Sequence, residues 1–267
     1  MVGIVRQVPR PVIAALSPLL AFPALRDNLI WALPDGSGRA LVVDPGELAP
    51  LLPALDSGLR VAAILLTHHH ADHTGAALAL AERSGAPVFG PEDERLPEAV
   101  LPLRPGQQRL PGGRALSVLA VPGHTRSHLA FHVEGHLFSG DTLFSLGCGR
   151  LFEGSPAQML DALDRLAALP ADTRVCCGHE YTLANARFAA EAEPENPARA
   201  AWVAEARRRL ALGQPSLPST LAIERAANPF LRVDLPGLRQ RLAERGTDAT
   251  DRLAAFTALR AWKDDFA

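Results

Sequence analysis

A chain of 267 residues with 27 Lys plus Arg against 29 Asp plus Glu has a formal charge of −2. That balance excludes the basic footprint of a nucleic-acid binder and of a protein held on an anionic membrane surface. With 48% hydrophobic and 21% charged residues, disorder is excluded as well, and 21 Gly plus 23 Pro rule out a long-helix or coiled-coil protein. Residues 11–25 are apolar behind Arg6 and Arg10, a faint likeness to a secretory leader. Pro11, Pro18 and Pro23 break that stretch, which argues against a leader. Residues 29–33 and 40–43 read as strands joined by the turn Pro34-Asp35-Gly36-Ser37-Gly38, and 47–55 as a helix after Asp44-Pro45-Gly46. The unbroken apolar run 61–66 predicts a strand buried on both faces, and 75–84 a helix closed by Gly85. Further strands are expected at 87–89, 116–121, 129–133, 136–139 and 174–177, with a helix at 157–169 opened by Ser155-Pro156. Beyond His179 the texture becomes Ala, Leu, Arg and Glu rich. Helices are expected there at 181–193, 197–212, 219–227, 235–244 and 248–266, with no convincing strand. The division read from this pattern is a mixed α/β domain over 1–180 and a helical domain over 181–267.

Cys148, Cys176 and Cys177 form no C-x-x-C pair and leave an odd one over, so a reducing, cytoplasmic setting is expected. No apolar run reaches the ~18 residues of a spanning helix.

The chemistry lies in the histidines. Six of the nine sit in segments that follow an apolar strand: Thr67-His68-His69-His70-Ala71-Asp72-His73, Pro122-Gly123-His124-Thr125 and Cys177-Gly178-His179-Glu180. A fourth such segment, Ser139-Gly140-Asp141-Thr142, brings a carboxylate. Imidazole and carboxylate converging with room left for water suit zinc, and also iron or manganese. His68 and His70, two apart on an extended turn, reach one ion, and His124 completes that trio. Asp72 and His73 point to a second ion completed by His179, and Asp141 is placed to bridge. Two ions ~3.5–4 Å apart would hold a hydroxide at neutral pH and polarise a carbonyl, which describes a hydrolase. His69 has the wrong parity for a ligand and is expected to support from behind. His128, His132 and His136 are expected in ordinary structural roles. Asp44 is expected to orient a metal histidine, and Cys148, in a turn with no base assigned, to be structural.

The signature T-H-x-H-x-D-H at Thr67–His73 resembles that of the metallo-β-lactamase superfamily. Within it the chain looks like the glyoxalase II, or hydroxyacylglutathione hydrolase, family. The resemblance runs from about Phe22 to Phe266. Its specific pieces include Phe22-Pro23-Ala24-Leu25-Arg26-Asp27-Asn28, Gly140-Asp141-Thr142-Leu143-Phe144, Gly147-Cys148-Gly149-Arg150, Cys177-Gly178-His179-Glu180-Tyr181-Thr182 and Asn228-Pro229-Phe230-Leu231-Arg232. It implies an α/β fold, an αββα sandwich with two metal ions at one edge, followed by a smaller helical domain that holds glutathione. It assigns His68, His70 and His124 to one ion, Asp72, His73 and His179 to the other, and Asp141 to both, zinc being expected ahead of iron or manganese. Arg150, Tyr181, Arg260 and Lys263 fall on glutathione-contacting positions. Arg260 and Lys263, three apart, share a helical face and would clasp a carboxylate together. Lys263 is the chain's one lysine and Tyr181 its one tyrosine.

Two positions depart from the family. Arg150 stands where Lys is frequent, and a guanidinium still binds carboxylate. Phe152 stands where Tyr is frequent, which keeps the stacking surface but loses a hydroxyl donor to substrate.

The implied reaction is hydrolysis of S-D-lactoylglutathione to glutathione and D-lactate by a metal-bridging hydroxide, in a monomer acting on a small molecule. Asp141 and Asp72 are its catalytic carboxylates. The alternatives are a mono-iron persulfide dioxygenase, which would have no use for the Arg260–Lys263 tail, another hydrolase of the superfamily such as a β-lactamase, and a non-catalytic metal binder, which would be expected to lack a ligand.

Overall fold

The computed structural model describes residues 19–110, 113–247 and 249–266. The first six strands, β1 (Leu20–Ala24), β2 (Asn28–Pro34), β3 (Arg39–Val43), β4 (Arg60–Leu65), β5 (Val88–Gly90) and β6 (Leu101–Pro102), form one sheet in sequence order. β1 through β3 are antiparallel and β3 through β6 parallel. The second sheet contains β7 (Gly106–Arg109), β8 (Ala115–Ala120), β9 (Leu129–Val133), β10 (His136–Gly140) and β13 (Arg174–Cys177). A short hairpin, β11 (Leu143–Phe144) and β12 (Gly147–Cys148), stands apart from both sheets.

Side-chain alternation along the strands decides what each sheet faces. Leu29, Trp31 and Leu33 of β2 and Ala63 and Leu65 of β4 pack against Leu129, Phe131 and Val133 of β9 and Phe138 of β10, so the sheets meet face to face. The opposite residues of the first sheet, Ile30, Ala32, Val42 and Ile64, pack against Leu51, Ala77 and Leu80, the last two on α3 (Ala77–Ser84). Those of the second sheet, Ala130, Leu137 and Val175, pack against α4 (Pro156–Ala167), which Ser155 opens with a capping box. The result is an αββα sandwich.

After His179 the chain forms α5 (Thr182–Ala192), α6 (Pro197–Ala211), α7 (Leu221–Ala227), α8 (Pro236–Glu244) and α9 (Arg252–Asp265). All but α6, which packs in a smaller cluster with Leu146, join the sandwich through one continuous core. Phe188, Phe230, Phe256 and Leu259 share buried contacts with α4. Among the described residues no helix is long and apolar enough to cross a membrane.

Several expectations need correcting. A strand does occur after His179: β14 (Ser219–Thr220) pairs with β13 and extends the second sheet. At two residues it is too short for alternation to be read, as are β6, β11 and β12. β7, Gly-Gln-Gln-Arg, is a polar edge with no hydrophobic period. The expected helix over 47–55 shrinks to a 3-10 turn at Ala49–Leu51 and α1 (Leu52–Asp56), since Pro50 and Pro53 lack the N–H that a longer ladder needs. β1 was hidden by Pro23, which an edge strand tolerates. The leader-like stretch falls outside the described residues up to position 18; its remainder enters β1.

Candidate metal centre

The proposed ligands all leave the ends of strands at one edge of the sandwich. β4 runs into Thr67–His70 and then the single turn α2 (Ala71–Thr74), which carries Asp72 and His73. β8, β10 and β13 deliver His124, Asp141 and His179 in turn. Three sets of side chains come within metal-binding reach of one another: His68, His70 and His124; Asp72, His73 and His179; and His68, His73 and Asp141. Asp141 lies 3.4 Å from Nε2 of His73, of His124 and of His179, so it stands between the two trios. Close approach demands glycine beside it. A Cβ on Gly178 would sit 2.6 Å from the His73 ring and 2.7 Å from Asp141 Oδ1.

What lies behind each ring fixes which nitrogen faces the centre. His73 Nδ1 donates to Asp44 at 3.0 Å, His179 Nδ1 to Asp27 at 2.8 Å, and His124 Nδ1 to the Arg150 carbonyl at 2.9 Å. Thr67 Oγ1 donates to Asp44 and so accepts from His68 Nδ1 at 3.0 Å. Each of these rings thereby turns Nε2 inward, where its neutral form presents the lone pair a metal requires. The inward nitrogens crowd: His68 Nε2 lies 3.0 Å and His124 Nε2 3.1 Å from His70 Nδ1, and His73 and His179 Nε2 are 3.3 Å apart. Asp141 Oδ1 is buried and accepts no hydrogen bond. Nitrogens this close and an orphaned buried carboxylate oxygen fit a cation between them, and the donor set of nitrogen and oxygen suits a divalent one.

The electrostatics divide the trios: against the penalty of burial, Asp141 raises His73 well above the usual histidine range and raises His179 as well, favouring positive charge where a metal ion would take the proton's place. Burial, with His73 close by, pushes His68 far below the usual histidine range; burial, with His124 beside it, brings His70 down to about 4. Both rings are neutral and able to ligate at physiological pH. Asp141, against the penalty of its burial, is held well below the carboxylate range chiefly by His73. Asp72 is likewise lowered against burial by His73, and Asn28 donates to it at 3.0 Å.

A cleft of about 470 Å³ opens beside the cluster. His70, Asp72, His124, Asp141 and His179 line one end, and Arg150, Phe152, Tyr181, Arg260 and Lys263, the expected substrate contacts, line the same cavity. Phe152 overhangs the metal end with its ring 5.1 Å from His124 and 64% exposed. Tyr181 stacks flat on His179 at 4.6 Å, and burial pushes its hydroxyl above its ordinary value. Arg260 and Lys263 do share a face of α9, but their states differ. Arg260 is only 4% exposed, and its guanidinium already donates to the Cys148 carbonyl at 2.9 Å and to Asp264 at 2.9 Å. The accessible cations of the cleft are therefore Arg150 and Lys263.

Residues outside the expected ligand set also acquire places. His69 lies 3.6 Å from Asp93 and 3.7 Å from Glu153, away from the centre. His132 and His136 sit on β9 and β10, clear of the cluster. His128, expected to be only structural, stacks on His68 at 4.6 Å and accepts the Asp141 backbone N–H at 3.1 Å, so it also seats the central carboxylate. Asp27 and Asn28 were missed as supports for His179 and Asp72; their one signal was their place in the Phe22–Asn28 motif. Buried Cys148 has its thiol pushed up by burial, which disfavours a nucleophile.

Residues 28–179 match the family model of the metallo-beta-lactamase superfamily, and residues 180–266 match that of the hydroxyacylglutathione hydrolase C-terminus. The chain is 51% identical over 251 residues to the hydroxyacylglutathione hydrolase of Xanthomonas campestris pv. campestris (strain B100), covering 93% of this chain and 98% of that one. The chain belongs to the hydroxyacylglutathione hydrolase family. A second member, from Halorhodospira halophila (strain DSM 244 / SL1), is 52% identical over 245 residues, covering 90% of this chain and 96% of the relative. Among solved structures, that of ETHE1 from Myxococcus xanthus superposes with a TM-score of 0.63 at 26% identity, covering 92% of this chain and all of that one. Family and cluster together support a binuclear site for divalent metal ions.

Proposed function

We propose that the protein hydrolyses glutathione thioesters, S-D-lactoylglutathione to glutathione and D-lactate in the first place, in the cytoplasm and as a monomer. The observation that carries this reading is the single cleft in which the histidine–aspartate cluster and the cations Arg150 and Lys263 open onto the same cavity. His68, His70 and His124 would hold one ion, Asp72, His73 and His179 the other, with Asp141 between them; zinc fits, and so do iron and manganese. When bound, such a pair supplies Lewis acidity at the carbonyl and lowers the pKa of water.

The rest falls to the chain. The flexible, anionic glutathione moiety lies toward Arg150 and Lys263, which take its carboxylates as charge-assisted partners. That anchoring brings the thioester carbonyl to the cluster under Phe152. Asp72, half-exposed and accepting from Asn28, would take the proton of the attacking water. The thiolate leaves without a strong acid, since thiols have a pKa near ~8.5. The catalytic domain is taken as 1–180 and the glutathione-binding domain as 181–267.

The test is release of free thiol from S-D-lactoylglutathione by metal-analysed protein beside Lys263→Ala. Turnover by the wild type, with KM raised ~10-fold and kcat kept in the variant, is expected if Lys263 contributes about 1.4 kcal/mol of uniform binding. Absence of thiol release from fully metallated protein overturns the thioesterase reading and turns attention to persulfide oxidation.

A further inference from the structure

The hairpin β11–β12 has little backbone support of its own. It belongs to neither large sheet, and its turn passes through Leu146 with φ 58, a left-handed conformation that a branched residue adopts only when its surroundings impose it. Every residue from Leu143 to Cys148 is nonetheless buried. Ser139 Oγ of β10 donates to the Leu143 carbonyl at 2.8 Å, but most of the side chains that satisfy this turn come from the helical region. Asn185 Nδ2 donates to the Ser145 carbonyl at 3.1 Å, and Trp202 Nε1 to the Ser145 hydroxyl at 2.8 Å. Glu224 accepts the Leu146 N–H at 2.8 Å. Asn228 Nδ2 reaches the Phe144 and Gly147 carbonyls, both at 3.0 Å, and Arg260 takes that of Cys148. The Leu146 side chain completes the clamp among Ala186, Ala189, Trp202 and Ala227.

The clamping groups are themselves fixed. Asn228 Nδ2 also lies 3.1 Å from Glu224, and its Oδ1 caps the 3-10 turn Pro229–Leu231 by accepting from Phe230 N–H. Glu224 has no exposed surface, accepts from Ser219 Oγ at 2.6 Å, and is pushed up from the ordinary carboxyl range by burial.

The hairpin lies between two parts of the metal centre. Two residues before it stands Asp141. Just after it, Gly149 N–H donates to the Thr142 carbonyl at 3.1 Å, and a Cβ on Gly149 would overlap the Asp141 carbonyl oxygen. The next carbonyl, of Arg150, is the acceptor that orients His124. A shift of the hairpin therefore moves the central carboxylate and one histidine of the first trio together.

We propose that Asn228 and Glu224 are positioning residues of the metal centre, acting through the β11–β12 hairpin, so that the helical region sets the geometry of Asp141 and His124 in addition to binding substrate. This rests on the binuclear reading above. The Asn-Pro-Phe-Leu-Arg motif thereby acquires a role that glutathione binding leaves unassigned, since Asn228 does not line the cleft.

The experiment is metal titration of chelator-stripped wild type, Asn228→Ala and Trp202→Phe against a competing chromogenic chelator, with kcat and KM for S-D-lactoylglutathione measured on the loaded proteins. Trp202→Phe keeps an aromatic ring beside Leu146 and removes one bond to the turn, so it reports even if Asn228→Ala fails to fold. The expected result is a ~10–100-fold weaker affinity for at least one ion in Asn228→Ala, a smaller loss of the same kind in Trp202→Phe, and reduced kcat at unchanged KM. Wild-type affinity in a folded Asn228→Ala, or in Trp202→Phe should the former not fold, overturns the proposal. A change confined to KM does so too, by assigning the clamp to substrate through Arg150. Wild type binding fewer than two ions would instead reject the binuclear reading itself.

Discussion

The two ends of the cleft are built on opposite plans. At the metal end each of four histidines has its outward nitrogen engaged by Asp44, Asp27, Thr67 or the Arg150 carbonyl, and most of the cluster is buried. At the cationic end Arg150 has a 64% exposed side chain and only a 3.6 Å approach to Asp264. Lys263 there makes no hydrogen bond among those described, and its Nζ lies 5.6 Å from the Phe188 ring. The contrast follows from what each end has to do. Holding ions needs ligands fixed to within a fraction of an ångström, while gripping a flexible anionic peptide needs charge that can adjust. Arg260 crosses the divide: it lines the cationic end but spends its donors on the backbone that leads to Asp141.

The largest effect that would sharpen this contrast is at the centre. Asp141→Asn keeps the shape but removes the charge shared by both trios. Its kcat is expected to fall by more than the ~10–100-fold typical of residues that merely orient a ligand, with the second metal lost on elemental analysis. Next comes Asp44→Asn. Asp44 sits at φ 52, which Asn tolerates, so the backbone is preserved while His73 loses its acceptor. A ~10–100-fold loss of metal affinity is expected by chelator competition; unchanged affinity would mean that the outward partners are incidental. The smallest effect belongs to the adjustable end. Phe152→Tyr restores a hydroxyl at the exposed rim, and KM is expected to fall up to ~5-fold at constant kcat, equivalent to about 1 kcal/mol. A change in kcat instead would show that the rim shares the rigidity of the centre.

The difference between the ends also governed what the sequence made legible. The metal residues follow strands whose apolar runs can be read directly, and H-x-H-x-D-H places four of them within six positions. The partners behind them carry no such local signal. Asp27 meets His179 across 152 residues, and Asp44 meets His73 across 29. His128 read as one histidine near a strand, because only the three-dimensional stack on His68 gives it a role. Glu224 lies in a helix of only seven residues, too short for its spacing to mark a buried face, yet it is fully buried against the Leu146 turn. The same limit applies to the fold. Unbroken apolar strands such as β2 and β4 were readable, whereas β14 and the β11–β12 hairpin exist because of what packs on them. Arg260 was placed correctly on a shared face with Lys263 by helical spacing, but spacing says nothing of the carbonyl it would meet.

The most direct test of the account is thiol release from S-D-lactoylglutathione as divalent zinc is added stepwise to chelator-stripped protein. Rate should rise until two equivalents per chain are bound and then level off, as a binuclear centre held by both trios and Asp141 requires. A plateau at one equivalent, or full metal loading without thiol release, would contradict it.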